Sequence, residues 1–286
     1  MLETGREKEA ENHINNDVLL SASNLFMELA SEARLSIIVS LNNKPAKLSI
    51  LARETNRTAP EVSRNLDRLI EEGLVVKEVD GLFHITEYGM MVIRQVPYFT
   101  FIKKHRDFFE SHSLVKSGIP EKYLQRIGQL EKSRVVNSTT AVIQTLKKMQ
   151  LSACQFIKLM VTQAWPEEGQ ILVDKATHEV KVYALNGLNT IFPSNIVREI
   201  FPSIERLIQE GKLESRIIER ARMGIYISDY TQAGLMFPNK NGEVDVNTLF
   251  VSNDPIFCEW CSDIFEYFWQ HSGPGHNLKK LKSVDI

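Results

Sequence analysis

Residues Thr58–Val75, TAPEVSRNLDRLIEEGLV, decide the fold of the N-terminal part of this chain. Thr58 stands three residues before Glu61, the spacing of a capping box in which each side chain satisfies a free backbone donor of the other. A proline in the first turn is tolerated because first-turn amides have no intrahelical partner. Gly73 is typical of the residue that follows a helix. We therefore predict a helix from Thr58 to Gly73.

The two sides of this predicted helix differ in chemistry. At about 100° per residue its apolar side chains fall within one arc, which should face a core. They are Val62, Leu66, Leu69 and Ile70. Arginine, asparagine and serine, which can contact phosphates and base edges of DNA, occupy the opposite side and its flanks. They are Ser63, Arg64, Asn65 and Arg68.

The flanking sequence completes a winged helix-turn-helix. A helical pattern begins near Ser21, and a short helix is predicted from Leu48 to Glu54 or Thr55. After the quoted stretch, Leu74–Thr86 predicts two strands joined at Asp80-Gly81, and Thr86 caps a further helix. In such a motif the quoted helix enters the major groove and the helix before it crosses the DNA backbone.

The candidate DNA contacts follow from this arrangement. The backbone-crossing helix contributes phosphate ligands, the start of the quoted helix lies near a phosphate, and the wing reaches a neighbouring phosphate. The predicted site is Ser49, Arg53, Arg57, Thr58, Ser63, Arg64, Asn65, Arg68 and Lys77. The alternative is a solvated helix face whose charges serve solubility. Spacing, turn, wing and local charge together favour DNA.

Charge is concentrated around the same stretch. The 286-residue chain has a formal net charge of −2, so it lacks the overall basic excess of many nucleic-acid binders. Residues 1–43 carry three basic and seven acidic side chains, whereas residues 44–68 carry six basic and three acidic ones. An anionic partner must therefore be met by a local patch.

Composition disfavours several other classes of protein. The apolar runs Leu35–Leu41 and Phe156–Ala164 are too short to span a bilayer, and the N-terminus lacks the apolar region of a secretory signal. Three cysteines do not make a disulfide framework. We expect a cytoplasmic protein that does not associate with membranes.

The chain should have two domains. Helical and strand patterns alternate after Pro120, which indicates an α/β layer domain, with one helix over Asn195–Gly211. The aromatic helix Pro97–His112 either packs against a domain or forms a dimer contact. The fold class is an α+β winged helix-turn-helix N-terminal domain followed by an α/β C-terminal regulatory domain. The predicted parts are a disordered tail (1–20), the winged helix-turn-helix domain with its connecting helix (21–112), the α/β domain (113–272) and a C-terminal tail (273–286).

Two stretches carry a family resemblance. LASEARLSIIVSL (Leu29–Leu41), followed by Leu48–Val75 and the wing, resembles the ArsR-type winged helix. GLMFPNKNGEVDVNTLFVSNDPIFCEWCSDIFEYFWQHS (Gly234–Ser272) resembles the end of the C-terminal regulatory domain of archaeal regulators of the methanogen filament-regulator type, and Gly118–Leu130 resembles its beginning. The resemblance implies an archaeal transcription regulator whose second domain senses a signal or mediates assembly. The ArsR metal site is not implied, because no cysteine precedes Cys154.

Other candidate sites have a simpler explanation. Cys258 and Cys261 form a C-x-x-C pair with no second pair to complete a zinc site, so core thiols are favoured over a metal or redox role. The aromatic residues of the same segment have helical spacing, which favours a core or a dimer contact over a ligand cage: Phe257, Trp260, Phe265, Phe268 and Trp269. Four arginines in the second domain form either a solvated surface or a site for an acidic metabolite: Arg198, Arg216, Arg220 and Arg222.

The sequence therefore predicts a DNA-binding transcriptional regulator that binds double-stranded DNA, forms a homodimer and responds to a small-molecule or protein effector. No cofactor, no metal and no enzymatic activity are expected. One alternative is a winged-helix adaptor that contacts protein. A second is a phospholipase D-like phosphodiesterase, because HEVKVY (His178–Tyr183) is one residue away from the H-x-K pattern of that class.

Overall fold

The computed structural model describes residues 16–274 and 282–284. The chain divides into two compact units, Met1–Val96 and Pro97–Ile286. The sequence placed the boundary after His112 instead. The difference arises because the aromatic stripe of Pro97–His112 packs within the second unit, where Phe101 is fully buried.

The first unit has the element order of a winged helix-turn-helix. Its wing pairs Val76 with His84 in an antiparallel register. The first helix begins at Asn16, so 16–20 of the predicted tail is helical, and 1–15 lies outside the described residues. The elements are α1 (Asn16–Leu29), α2 (Glu32–Asn43), α3 (Leu48–Glu54), α4 (Ala59–Glu71), β1 (Val75–Lys77), β2 (Phe83–Ile85) and α5 (Glu87–Ile93).

The core of the first unit joins three helices to the wing. Ile37 of α2, Leu51 of α3 and Leu66 of α4 are each almost completely buried, as the periodicity of α4 predicts. Ile70, which was expected on the same side, is 37% exposed. Gly89 lets α5 approach the wing, because a Cβ there would lie 2.3 Å from the carbonyl oxygen of Leu74.

The capping box predicted at the start of α4 is wrong. Thr58 is the N-cap residue but makes no side-chain cap hydrogen bond. Glu61 instead accepts a hydrogen bond from Nη1 of Arg57 at 2.8 Å. The cap predicted at Thr86 is confirmed, since its hydroxyl accepts from the backbone N–H of Gly89 at 2.9 Å.

The second unit combines helices with one large sheet. Two short 3-10 turns lie at Val115–Ser117 and Ile127–Leu130. Its helices are α6 (Val96–Lys104), α7 (Arg106–Ser111), α8 (Glu121–Leu124), α9 (Thr139–Ser152), α10 (Pro166–Thr177), α11 (Ser194–Glu199), α12 (Phe201–Gln209) and α13 (Pro255–Gln270). Its strands are β3 (Arg134–Asn137), β4 (Phe156–Gln163), β5 (Lys181–Pro193), β6 (Leu213–Ile218), β7 (Gly224–Ser228), β8 (Gln232–Met236), β9 (Thr248–Ser252), β10 (Gly273–Pro274) and β11 (Lys282–Val284).

The sheet has a parallel half and an antiparallel half. Its strand order is β10-β6-β5-β4-β7-β8-β9-β3, with β11 beside β5. Strands β4, β5 and β6 are parallel and are connected through α10 and through α11–α12. Strands β7, β8, β9 and β3 continue the sheet in antiparallel order.

The two faces of the sheet are covered by different helices. Helix α13 covers one face with an aromatic core that includes Phe257, Trp260 and Phe265, so the expectation of a core role for these rings is confirmed. Helices α9, α10 and α12 contribute to an aliphatic core that includes Leu146, Leu172 and Leu207.

Three features of the second unit differ from the sequence interpretation. The single helix expected over Asn195–Gly211 is two helices interrupted at Ile200, where the proline of α12 follows closely and disfavours a continuous helix. Strand β3 was not predicted. Parts of the predicted C-terminal tail are strands, namely β10 and β11, while 275–281 and 285–286 lie outside the described residues.

Candidate nucleic-acid interface

The predicted DNA-contacting residues lie on α3, on α4, on the turn between them and on the wing. Because α3 and α4 direct Leu51, Leu66 and Leu69 into the core, their opposite sides face solvent. Six of the predicted residues are exposed and three are half-buried. The exposed ones are Ser49, Arg53, Thr58, Arg64, Arg68 and Lys77, and the half-buried ones are Arg57, Ser63 and Asn65.

Arg53 and Arg64 are the least engaged of these cations. Neither side chain forms an ion pair of 4.0 Å or less within the described part of the chain. Arg53 lies in the last turn of α3. Arg64 lies on α4, two positions from each of the buried residues Val62 and Leu66 in the sequence and on the exposed side of the helix. Both guanidinium groups are therefore available to an anion outside the protein.

Arg57 is tied to its own domain. Its Nη1 lies 2.8 Å from Glu61 and its Nη2 lies 3.7 Å from Glu32, and the side chain is only 22% exposed. Its Nε is buried without a hydrogen-bond partner among the described residues. These pairs link the start of α4 to the start of α2, so Arg57 is less available to a phosphate than Arg53 or Arg64.

Arg68 is held by a carboxylate that is distant in sequence. Its Nε lies 3.0 Å from Oε2 of Glu28, and its Nη2 pairs with Oε1 of the same residue. Arg34 also contacts Glu28, with its Nε 3.0 Å from Oε2. The hydrogen bond that Arg68 donates to the carboxylate of Glu28 raises the pKa of Arg68. Arg68 therefore stays charged, and 53% of its side chain is exposed. Its charge is partly neutralised by the ion pair with Glu28 of α1.

The neutral residues of α4 and the wing lysine have local contacts. Asn65 donates a hydrogen bond through Nδ2 to the backbone oxygen of Glu61 at 2.9 Å. Nζ of Lys77 lies 5.5 Å from the centre of the Phe83 ring, within the range of a cation–π contact. In both cases the contact engages the polar end of the side chain, Nδ2 of Asn65 and Nζ of Lys77.

Sequence reasoning missed two residues of this surface. Lys47 is the N-cap residue of α3 and is exposed, and its place in the basic stretch 44–68 was the available signal. Glu28 was missed because it lies 40 positions before Arg68, and nothing local in the sequence joins them.

The other candidate sites of the sequence do not gather into a centre. Cys258 and Cys261 are buried, and burial raises the pKa of Cys258 to about 11, so the thiols stay protonated. Among the described residues no three histidine, cysteine or acidic side chains are placed to hold a metal ion. Arg198 pairs with Glu199 at 3.1 Å, whereas Arg216 stacks on Trp269 at 4.6 Å from the ring centre.

Comparison with solved structures gives low identities. TrmBL2, described as an archaeal chromatin protein with a novel mode of DNA binding, is 15% identical over 85% of this chain and 94% of its own, with a TM-score of 0.38. The phospholipase D family member Nuc from Salmonella typhimurium is 18% identical over 50% of this chain and 97% of its own, with a TM-score of 0.37. These values carry no inference about function. No curated protein matches the chain.

Comparison with family models supports the two resemblances seen in the sequence. Residues 31–77, which span α2 to the end of β1, match the bacterial regulatory protein, arsR family. Residues 188–271 match the middle domain of the methanogenesis regulatory protein FilR1 and span the end of β5 to the end of α13. In the part of the chain that the structure describes, no helix is long and apolar enough to cross a membrane. With these two matches on the winged-helix and sheet units, the chain is a DNA-binding transcriptional regulator that joins an ArsR-like winged helix-turn-helix to a domain of the FilR1 type.

Proposed function

We propose that the winged helix reads operator DNA with α4 in the major groove. The observation that carries this proposal is the exposed face of α4, where Arg64 has no ion pair among the described residues while Val62 and Leu66 anchor the opposite face. An α-helix fits the major groove, and arginine is the commonest side chain to read guanine there.

The remaining residues divide between bases and phosphates. Arg64 and Asn65 contact base edges, with Ser63 beside them. Ser49 and Arg53 on α3 contact the phosphate backbone, and the wing reaches it through Lys77. Thr58 and Arg57 lie at the start of α4. Arg68 contributes to DNA binding only when its ion pair with Glu28 is broken.

Homodimer formation and effector control complete the proposal. A single recognition helix reads too few base pairs for useful specificity, which a dimer on two half-sites overcomes. Helix α1 supports a dimer because its apolar side chains Val18, Leu20 and Met27 are more than half exposed. The FilR1-type domain binds a small molecule or a protein and modulates DNA affinity in the cytoplasm.

The proposal is tested by recovering genomic DNA fragments on the full-length protein at two salt concentrations. A shared inverted-repeat motif is expected, with affinity that falls steeply as salt rises because phosphate neutralisation releases counterions. Arg64→Ala should lose the motif. Arg220→Ala, which changes an exposed arginine of the second unit, is the matched control and should retain it.

The two alternative functions predict different results. An adaptor that contacts protein would retain no DNA fragments at either salt. A phospholipase D-like enzyme would hydrolyse a simple phosphodiester. In the structure, Nδ1 of His178 contacts the backbone oxygen of Asp174, and Nζ of Lys181 donates to the backbone oxygen of Gly211.

A further inference from the structure

A cavity of about 60 Å³ lies within the second unit, between the parallel strands β4–β6 and helices α10–α12. Its walls are mostly apolar. They include Val161, Leu172, Phe192, Phe201, Ile204 and Leu213. Ala164 and Ala184 also line the cavity, and their small side chains leave the space unfilled.

The size of the cavity suits a small molecule. One buried water needs roughly 10–15 Å³ of such volume, so the space holds about five atoms of water size. Gly169 of α10 also lines the cavity and packs close to α11–α12, since a Cβ there would lie 3.2 Å from Cγ2 of Ile200. The helices therefore close over the strands without filling the space between them.

One end of the cavity is polar. Glu168 of α10 lines it, is 8% exposed, and accepts a hydrogen bond from Nε2 of Gln150 at 2.6 Å. The backbone N–H of Trp165 also contacts the Glu168 carboxyl group. Burial raises the pKa of Glu168 to about 7.

Two buried polar atoms near Glu168 lack a partner among the described residues. They are Oε1 of Gln150 and the hydroxyl of Tyr226. Both side chains are almost completely buried. Buried polar groups without partners are rare in folded proteins. Neither residue lines the cavity, so the two atoms mark a polar region around Glu168 and are not contacts of a ligand in the cavity.

A second polar pair lines the cavity on the sheet. Nδ2 of Asn186 on β5 donates to Oγ of Ser215 on β6 at 3.3 Å. An apolar cavity with a few polar groups is the usual form of a small-molecule site.

We propose that this cavity is the effector site of the second domain, and that it binds a small amphipathic molecule with a short aliphatic body and one hydrogen-bond-donating head. The apolar walls take the body. The head is a donor because the carboxyl group of Glu168, which lines the cavity, accepts hydrogen bonds. Above about pH 7, where Glu168 is ionised, an anionic head would face a carboxylate and be repelled. The inference deepens the sensing role proposed above.

Amines and alcohols share this chemistry, and the experiment separates them. The full-length protein is titrated above about pH 7, where Glu168 is ionised, with n-butylamine, n-butanol and n-butyrate at millimolar concentrations. The thermal midpoint and the heat of binding are the readouts. At least one donor probe should raise the midpoint, whereas butyrate should leave it unchanged. Binding of butylamine alone identifies a cationic head, and binding of butanol identifies a neutral one.

Three variants connect the response to the cavity. Ala184→Leu fills the space and should abolish probe binding. Glu168→Gln should weaken butylamine binding by about tenfold, since the charged acceptor is lost. Glu167→Gln is the matched control, because Glu167 is the exposed neighbour that pairs with Lys147. If circular dichroism shows that Ala184→Leu does not fold, Ala164→Val replaces it.

Two results would overturn the proposal: no response of the wild-type protein to either donor probe, or an equal response in the filled variant. Neither readout involves DNA. Operator binding measured on the same samples therefore shows whether the DNA-binding proposal stands when the cavity proposal fails.

Discussion

Helices α4 and α10 both have one apolar side, but they place their charged residues differently. Helix α4 turns Arg64 and Arg68 away from the core formed by Val62 and Leu66. Helix α10 turns Glu167 outward to pair with Lys147 but directs the next residue, Glu168, into the protein.

The difference separates two kinds of site. A surface for a polyanion such as DNA is built from residues that follow the amphipathic pattern of a helix, because its charges must reach outward. A site for a small molecule needs a polar group inside the apolar layer, which is an exception to the pattern. The proposed DNA-contacting residue of α4 therefore obeys the sequence periodicity, whereas the proposed ligand-binding residue of α10 breaks it.

The largest expected effect concerns the buried carboxyl group of α10. The pKa of Glu168 is raised from 4.5 to about 7, so the folded state binds a proton more tightly than the unfolded state. Stability contributed by this group is complete below pH 4.5 and is lost as the pH rises through about 7. One pKa unit corresponds to about 1.4 kcal/mol, so the total change is about 3 kcal/mol.

Urea unfolding at a series of pH values checks this expectation. Glu168→Gln should remove the loss of stability between acid and neutral pH, and the wild-type-minus-variant difference isolates the group from other titrating residues. Glu167→Gln should keep the wild-type pH dependence. If both variants keep the wild-type pH dependence of stability, Glu168 is hydrated or flexible in solution. The contrast between the buried charge of α10 and the outward charges of α4 then disappears.

The next effect tests the outward charges of α4 against each other. Arg64→Ala should reduce affinity for a specific operator by about 10- to 100-fold, the usual contribution of a good base contact. Arg68→Ala should have a smaller effect, because Glu28 already holds its guanidinium group. Fluorescence anisotropy of a labelled operator measures both.

Glu28→Gln provides the control for that difference. It weakens the hold on Arg68, so a subsequent Arg68→Ala change should cost more affinity in this background than in the wild type. If Arg64→Ala and Arg68→Ala reduce operator affinity equally in the wild-type background, DNA displaces Glu28 from Arg68 at no cost in binding free energy.

The fold was largely accessible from the sequence because its signals are local. Helix α4, the Asp80-Gly81 hairpin and the cap at Thr86 each depend on residues a few positions apart, and all three are present. The separation of α11 from α12 at Ile200 was missed, although a proline nearby gave the signal. Strand β3 was missed because it is four residues long and pairs with β9, more than 100 positions later.

The candidate sites were accessible to different degrees for the same reason. The residues of the α4 surface were predicted, but their pairing state was not, since Glu28 contacts Arg68 only in the folded protein. The cavity was not predicted at all. Its lining comes from three strands and three helices, and no short segment contains the combination of Glu168, Asn186 and Ser215.

The smallest effect concerns how the helices begin. Thr86 caps α5, and Thr86→Ala should destabilise the protein by about 1 kcal/mol, the usual contribution of an N-cap side chain. Thr58 occupies the same position in α4 without a cap hydrogen bond, so Thr58→Ala should change the free energy of unfolding by less than about 0.5 kcal/mol. Urea unfolding of both variants measures the contrast. A loss at Thr58 equal to that at Thr86 would show that the threonine caps α4 in solution, with Glu61 released from Arg57. The start of α4 would then obey the local sequence pattern as fully as its outward face does.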